Sequence, residues 1–344
     1  MTMSDTVLDV QKLSVSFATA KGTIQPVRDV SFALKRRETL ALVGESGSGK
    51  SVASLTLMRL ISRSAGCAIS GSARLTAGEQ SLDLLNDDIR KISSVRGDRI
   101  SMIFQEPMTS LNPVHRIGDQ IGEALYFHRN LSRKERGEKV LHLLDQVGIV
   151  NPARTARDYP HHLSGGMRQR VMIAMAIACD PDVLIADEPT TALDVTIQAQ
   201  ILDLLRKLQE VNNMAMVFIT HNLGVVAEIA DRVMVMYCGQ VVEDASVMDL
   251  FRRPLMPYTQ GLLSSIPAIS LSDERPKLYS IPGNVPDLAK LPSGCAFAPR
   301  CRYVTESLCT AREPEVELAT PTRRVRCLNW RTINNVDDGE SNEA

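Results

Sequence analysis

Aromatic residues are scarce in this sequence of 344 residues, at 4% of the total. So few rings argue against a stacking platform for single-stranded nucleic acid. Neither sign of charge is in excess, because the chain has 39 Lys and Arg residues and 40 Asp and Glu residues, with a formal net charge of -1. The near-zero net charge gives no support to a general electrostatic attraction to nucleic acid, and we expect no nucleic-acid partner.

Long apolar runs are missing as well. The densest apolar stretch, VMIAMAIAC at 171–179, is shorter than the roughly 18 residues needed to span a membrane. The first residues, MTMSDTVLDVQ, lack the basic and then apolar pattern of a secretory signal peptide. These absences predict a protein of the cytosol, where its seven cysteines stay reduced and disulfides are not expected.

Strand patterns alternate with helix patterns over most of the chain. Residues 8–17 and 26–34 have the alternating polarity of a strand hairpin. Residues 113–180 are mostly helical in pattern, and 182–189 form an apolar strand that ends in two acids. This order predicts an α/β fold with a mainly parallel, buried central sheet.

Composition changes after about residue 252, where proline and loop-like sequence become frequent. We therefore predict a first domain over 1–252 and an extension over 253–332. The last residues, 333–344, are polar and acidic, and are predicted to be disordered.

The segment GESGSGKS fits the phosphate-loop pattern G-x-x-x-x-G-K-[ST] and lies between an apolar strand and a helix start. Glycines allow the tight turn that points successive amides at phosphate oxygens, and the helix adds its positive N-terminal end. Lys50 is expected to reach the β- and γ-phosphates, and the Ser51 hydroxyl to bind Mg²⁺. The predicted nucleotide-binding residues here are Gly44, Glu45, Ser46, Gly47, Ser48, Gly49, Lys50 and Ser51.

The segment VLIADE, 183–188, supplies the acids that such a site requires. Asp187 is predicted to hold Mg²⁺, and Glu188 to polarise the attacking water as a general base. Two acids at a strand end are more often a cap or a solvated turn, but the phosphate loop upstream favours the catalytic interpretation.

The segment LSGGMRQR, 163–170, precedes a helix and predicts a second anion-binding helix N-terminus. One nucleotide does not need two such sites, so this one is expected to contact the γ-phosphate of a nucleotide held by another subunit. The residues of this signature are Leu163, Ser164, Gly165, Gly166 and Met167. With these three motifs in this order, residues 8–250 resemble the ATP-binding cassette (ABC) family.

The resemblance implies further roles. Phe17 resembles the aromatic residue that stacks on adenine, and Gln105 resembles the glutamine that contacts Mg²⁺ and water. Asp194, in TALD, resembles a residue of the loop where two cassettes meet. His221 resembles the switch histidine that bonds the γ-phosphate and orients the base. Catalysis is thus expected from Glu188, His221 and Gln105, and the expected Mg²⁺ ligands are Ser51, Gln105 and Asp187.

The resemblance also implies a fold and a mechanism. The fold is a P-loop NTPase with a RecA-like core, an antiparallel β subdomain and an α-helical subdomain at about 106–180, followed by a small cysteine-containing extension. Two cassettes would close around two ATP molecules and reopen after hydrolysis. The chain departs from the family at Arg37, where a glycine often stands in a turn.

The segments MPYTQGLLSSIP, IPGNVPDL and GCAFAPRCRY resemble the extension of oligopeptide/dipeptide importer ATPases. This implies a peripheral ATPase on the cytoplasmic side of a bacterial inner membrane, powering import of di- and oligopeptides. Expected partners are two permease subunits, a second ATPase (a copy or a paralogue) and an extracytoplasmic solute-binding protein. Nickel, glutathione or an opine are alternative solutes, and a soluble regulatory ATPase is a further alternative.

Four of the seven cysteines lie near the end of the chain, with no C-x-x-C pair among them, so ordinary structural zinc spacing does not fit. They are Cys295, Cys301, Cys309 and Cys327. Neighbouring basic residues would favour thiolates; these are Arg300, Arg302, Arg323, Arg324 and Arg326. Some members of the resembling family hold a [4Fe–4S] cluster on this pattern. A cluster and four reduced thiols remain the two interpretations.

Overall fold

Two β-sheets organise the chain in the computed structural model, which describes residues 5–20, 22–61, 63, 66–77, 80–106, 110–191, 193–266 and 280–334. The smaller sheet is antiparallel, with strand order β2-β1-β4-β5. Its strands are β1 (Thr6–Thr19), β2 (Gly22–Lys35), β4 (Cys67–Ala77) and β5 (Gln80–Asp83). The hairpin expected from the first two patterns is present, and β4 pairs with β1 along most of its length.

The larger sheet has eight strands within the described ranges, in the order β11-β12-β10-β9-β3-β8-β7-β6. Strands β9, β3, β8, β7 and β6 are mutually parallel, as the continuous apolar runs predict. The strands are β3 (Thr39–Val43), β6 (Ile100–Ile103), β7 (Val183–Asp187), β8 (Ala215–Thr220), β9 (Arg232–Tyr237), β10 (Gln240–Ser246), β11 (Glu317–Thr320) and β12 (Arg323–Val325).

Alternate residues of the central strands enter two different cores. In β7, Ile185 packs with the core between the two sheets, whereas Leu184 and Ala186 pack with the core on the helical side. Because successive side chains of a strand point to opposite faces, both faces of the parallel sheet are covered. The carboxyl ends of these strands are therefore held firmly where the predicted acids stand.

Helices surround this sheet. Those of the predicted helical subdomain are α3 (Ile117–His128), α4 (Arg133–Gln146), α5 (Pro152–Thr155) and α6 (Gly165–Ile177). The others are α1 (Lys50–Leu57), α2 (Ile89–Val95), α7 (Val195–Asn212), α8 (Leu223–Ile229), α9 (Val247–Arg252), α10 (Pro257–Ser264) and α11 (Glu306–Cys309). In the part of the chain that the structure describes, no helix is both long and apolar enough to cross a membrane.

The C-terminal extension packs directly on the central sheet. Strand β12 pairs with β10, and Phe297 and Val325 join a core with Tyr237 of β9. The carboxylate of Glu243 is fully buried in β10, and it accepts hydrogen bonds from the backbone of Leu255 and Met256. Arg323 of the extension adds a third bond to this carboxylate, at 2.7 Å. Because these contacts join the two regions into one packed body, they do not mark a boundary, and the one near residue 253 stays a prediction from composition.

The predicted disordered tail begins two residues too early. Ile333 and Asn334 are 4% and 6% exposed, within a helical turn over 330–334, because Ile333 packs beside the cysteines and Asn334 bonds Trp330. The rest of that prediction, 335–344, lies outside the described residues.

Candidate functional site

The phosphate loop runs from the end of β3 to the start of α1, as its sequence context requires. Gly49 has a φ of 104°, in the left-handed region, and a Cβ there would stand 1.9 Å from the carbonyl oxygen of Pro26. No other residue could take this position without moving the backbone of β2. The loop is thus shaped by close contact with the antiparallel sheet.

Lys50 lies folded into the loop. Its Nζ donates to the carbonyl oxygens of Gly44 at 2.7 Å and Glu45 at 3.0 Å, and to the Ser48 hydroxyl at 3.2 Å. Burial lowers the pKa of this ammonium, although the carboxylates of Glu188, Asp187 and Glu45 oppose the shift. The positive charge is therefore held at the centre of the loop, where phosphate oxygens would replace the backbone carbonyls.

Asp187, at the end of β7, is 4% exposed. Burial raises the pKa of its carboxyl group, while a hydrogen bond from Ser51 and the charge of Lys50 act in the opposite direction. Its Oδ1 atom is buried and has no hydrogen-bond partner. A hard cation would satisfy this oxygen and also stabilise the ionised carboxylate, so Asp187 and Ser51 fit the predicted Mg²⁺ site.

Glu188 follows with a φ of 48°, a left-handed conformation that is uncommon outside glycine. Its carboxylate has three partners: Gln105 Nε2 at 3.2 Å, the Thr191 hydroxyl at 2.8 Å and His221 Nδ1 at 3.2 Å. Burial alone would raise the pKa of Glu188, but the bonds from Thr191 and His221 and the charges of His221 and Lys50 lower it overall. The carboxylate is thus kept ionised, as a general base requires.

The three predicted catalytic side chains thus meet at one point. Because an ionised carboxylate only accepts hydrogen bonds, Nδ1 of His221 is the protonated ring nitrogen and donates this hydrogen bond to Glu188. Beside them lies a cavity of about 410 Å³ between Glu188 and the phosphate loop, with Leu262 of α10 in its wall. Gln105, which was predicted also as an Mg²⁺ ligand, donates to Glu188 in this arrangement.

The signature segment forms the start of α6, on the surface. The Ser164 hydroxyl caps this helix by accepting from the Met167 amide at 3.3 Å, whereas Leu163 is buried. A Cβ added at Gly165 would meet nothing within 4 Å. The helix start is therefore open to a ligand from outside the chain.

Two other predicted residues have local structural roles. Asp194 is exposed and caps α7, because its Oδ1 accepts from the Ile197 amide at 2.9 Å. Phe17 is partly buried at the end of β1 and packs against the core between the sheets. Their assignments to the dimer loop and to adenine stay predictions.

Sequence reasoning missed residues that contact the site from elsewhere. Thr191 bonds Glu188 directly, whereas the family resemblance assigns its motif only to the loop where two cassettes meet. Tyr258 and Arg300 of the extension contact the phosphate loop at Glu45. The threonine close to the two acids in sequence was a usable signal for the contact with Glu188. The contacts of Tyr258 and Arg300 with Glu45 join residues that are 213 and 255 positions apart, and no spacing in the sequence indicates them.

The four C-terminal cysteines line a single cavity of about 20 Å³, together with apolar side chains such as Phe297 and Ile333. Burial raises the pKa of the Cys295 thiol, and it raises that of Cys301 to about 11 and that of Cys327 to about 12. The expected effect of the arginines has the right direction at Cys301, where the charge of Arg302 lowers the thiol pKa, but burial outweighs it and favours the neutral thiol. Among the described residues, no group of three or more His, Cys, Asp or Glu is arranged to hold a metal ion.

Comparison with known proteins agrees with this geometry. The family described as "ABC transporter" matches residues 27–191, and the family described as "Oligopeptide/dipeptide transporter, C-terminal region" matches residues 242–309. A putative peptide import ATP-binding protein of Brucella ovis is 54% identical over 332 residues, which is 95% of this chain and 98% of that protein. The oligopeptide transport ATP-binding protein AppD of Bacillus subtilis is 51% identical over 323 residues, 94% of this chain and 96% of its own length.

Solved structures of the same kind are similar in fold. A dimeric structure of the ATP-binding cassette MJ0796 in a post-hydrolysis state, bound to ADP and Pi, aligns with a TM-score of 0.62 and 26% identity. It covers 70% of this chain and 98% of that one. The cassette cbiO1 of Clostridium perfringens aligns with a TM-score of 0.59 and 26% identity, over 73% of this chain and 92% of that one.

The fold and site define an ATP-hydrolysing cassette, and the chain belongs to the ABC transporter family, with the C-terminal region of oligopeptide/dipeptide transporters. The predicted family, α/β fold class and ATPase activity are thereby confirmed.

Proposed function

We propose that this chain is the ATP-hydrolysing subunit of a membrane importer for di- and oligopeptides. The observation that carries the proposal is the presence, in one chain, of the Glu188–His221 pair beside the phosphate loop and of an oligopeptide/dipeptide-type C-terminal region. Relatives over 50% identical along most of their length carry peptide import or oligopeptide transport in their names. The membrane location, on the cytoplasmic side of a bacterial inner membrane, follows from this role.

The site acts as half of a composite. ATP with Mg²⁺ would bind at Lys50, Ser51 and Asp187, and the signature segment of a second ATPase, a copy or a paralogue, would cap its γ-phosphate. Glu188 would accept a proton from the attacking water while His221 and Thr191 hold it in place. Support comes from the open start of α6 and from the dimeric state of the similar cassette MJ0796. Closure needs the γ-phosphate, so its loss reopens the pair.

The proposed permease partners have a fitting surface on the helical subdomain. A groove of about 830 Å³ lies between α3, α4 and α5, away from the nucleotide site. Tyr126 and Phe127 in its wall are 65% and 70% exposed. Such rings are typical of protein interfaces, so a helix of one permease is proposed to dock here and to receive the motion of closure. An extracytoplasmic binding protein would complete the complex.

Uptake measurements test the proposal. A deletion strain complemented with the parent chain should accumulate labelled di- and oligopeptides, and a strain complemented with Glu188→Gln should not, although both chains co-purify with two permeases. Labelled nickel, glutathione and an opine are measured in parallel, because the ATPase does not contact the solute. Equal peptide uptake in both strains would contradict the proposal. If the purified chain brings down no permease, the alternative function of a soluble regulatory ATPase is favoured.

The four C-terminal cysteines are proposed as ligands of a [4Fe–4S] cluster, with a stabilising role in the extension. All four thiols line one apolar cavity, and cysteine thiolates are the usual ligands of such a cluster. Since the described residues hold no group arranged to bind a metal ion, the thiols would have to rearrange on binding. Raised thiol pKa values mean that binding must displace protons. Anaerobic purification followed by iron and sulfide assays and a visible spectrum tests this. If the purified protein is colourless and free of iron, and its extension is nevertheless folded and resistant to protease, four reduced thiols are the correct interpretation.

A further inference from the structure

The phosphate loop is tied to the C-terminal extension by an ion pair across 255 residues. Arg300 donates from Nη1 to Oε2 of Glu45 at 2.7 Å and from Nη2 to Oε1 at 3.0 Å. This is the two-pronged geometry in which a guanidinium holds a carboxylate most firmly. Glu45 is the second residue of the loop, so the contact reaches the nucleotide site itself.

Arg300 is rigidly placed. Its side chain is 4% exposed, and its Nε donates to the carbonyl oxygen of Pro282 at 3.0 Å. The residue ends a short 3-10 helix, Ala298–Arg300, beside the ring of Tyr237. A buried guanidinium that is oriented on both sides has little freedom to leave its partner.

Glu45 is held from two further directions. Its amide donates to the Tyr258 hydroxyl at 2.9 Å, and its carbonyl oxygen accepts from Lys50 at 3.0 Å. The same carbonyl oxygen accepts from the Ser48 amide at 3.2 Å, within the loop itself. When phosphate oxygens bind Lys50, the bond from Lys50 is weakened, and the contacts that hold Glu45 from outside the loop are those from the extension. The extension therefore supports the loop in the state in which nucleotide is bound.

The charge of Glu45 gives this support a chemical purpose. Its carboxylate acts on the Lys50 ammonium and lies in the wall of the cavity beside Glu188. An unpaired carboxylate here would repel a polyphosphate and compete with it for Lys50. Arg300 neutralises this charge and fixes its direction.

We propose that Arg300 is a positioning residue for nucleotide binding, through which the C-terminal extension neutralises and immobilises Glu45 of the phosphate loop. The extension is then part of the ATPase site as well as a region that distinguishes peptide importers. This inference rests on the proposed assignment of residues 44–51 to the phosphates.

Nucleotide titration of the full chain tests it. Arg300→Gln should raise the Kd for MgATP about tenfold, a typical loss for a charged hydrogen-bonded pair, and more at low than at high salt. Adding Glu45→Gln to Arg300→Gln should recover most of the affinity, because the unpaired carboxylate is then gone. Arg302→Gln is the matched control: it removes the same charge from an exposed residue two positions away, and should leave the Kd unchanged.

Each outcome has one meaning. A Kd for Arg300→Gln within twofold of the parent overturns the inference, as does a weakened Kd that Glu45→Gln fails to recover. A lower melting temperature with an unchanged Kd makes Arg300 merely structural and also overturns it. Lys50→Ala is measured alongside: if it too binds MgATP normally, the phosphate-site assignment itself is wrong.

Discussion

The imidazole Nδ1 of His221 lies 3.2 Å from Oε1 of Glu188, at the ends of adjacent parallel strands. The same carboxylate accepts from Thr191 through its other oxygen. Both donors act on a residue whose own backbone is in the left-handed region. The position of this carboxylate is therefore specified independently by backbone, loop and neighbouring strand.

Replacing the base should separate binding from hydrolysis. Glu188→Gln keeps the size of the side chain but cannot accept a proton, so kcat should fall by about a hundredfold or more while the Kd for ATP changes little. Steady-state phosphate release and nucleotide titration measure the two. Glu228→Gln, an exposed change of equal charge on α8, is the control. Unchanged turnover in Glu188→Gln would refute the assignment of the base.

The pH dependence of turnover should report the environment of Glu188. Its pKa is lowered in the folded protein, so the active, ionised form persists at pH values below the ordinary glutamate pKa and is lost only as pH falls through the lowered one. Thr191→Val removes one of the stabilising donors and should move the acid limb of kcat to higher pH. An acid limb that stays in place would contradict the role given to Thr191.

Removing the buried acid should raise stability and lower activity. The pKa of Asp187 is raised by burial, so at neutral pH its ionised form destabilises the metal-free fold. Asp187→Asn should therefore raise the melting temperature without nucleotide, while turnover and the Mg²⁺-dependent gain in ATP affinity are lost. Calorimetry and titration with and without Mg²⁺ check this. A variant that still gains affinity from Mg²⁺ would exclude Asp187 as a ligand.

Two glycines of the phosphate loop should differ sharply in tolerance. Gly47 and Gly49 both have positive φ, but a Cβ meets open space at Gly47 and the Pro26 carbonyl at Gly49. Gly47→Ala should cost about 1 kcal/mol, the price of a left-handed alanine, and Gly49→Ala clearly more. Chemical denaturation of both variants without nucleotide makes the comparison. Equal losses would mean that the contact with β2 does not shape the loop.

The signature serine should matter beyond its cap. Ser164 and Ser246 both cap helices through their hydroxyls, so alanine at either should cost about 1 kcal/mol of stability. Only Ser164→Ala should also impair ATP-dependent dimerisation, which we expect to be measurable in a Glu188→Gln background by light scattering. Equal dimerisation of the two alanine variants would limit Ser164 to a structural role.

Local pattern was sufficient for much of the architecture. Apolar runs predicted the central strands, and the glycine-rich loop before Lys50 predicted the start of α1, because strand period, turn chemistry and helix capping are properties of neighbouring residues. The length of strand β4 depends on its pairing with β1, which local pattern does not show. The turn at Arg37, with a φ of 62°, lies where the family often has glycine.

The sequence by itself determined the chemistry: a phosphate loop, two acids at a strand end, a signature segment and a histidine, each a local motif in a set order. Tertiary structure alone decided which other groups act on them. Arg300 reaches Glu45, and four cysteines enclose one cavity, only because β12 adds to β10 and brings the extension onto the central sheet. Contacts between distant residues depend on packing, and no spacing along the chain encodes them.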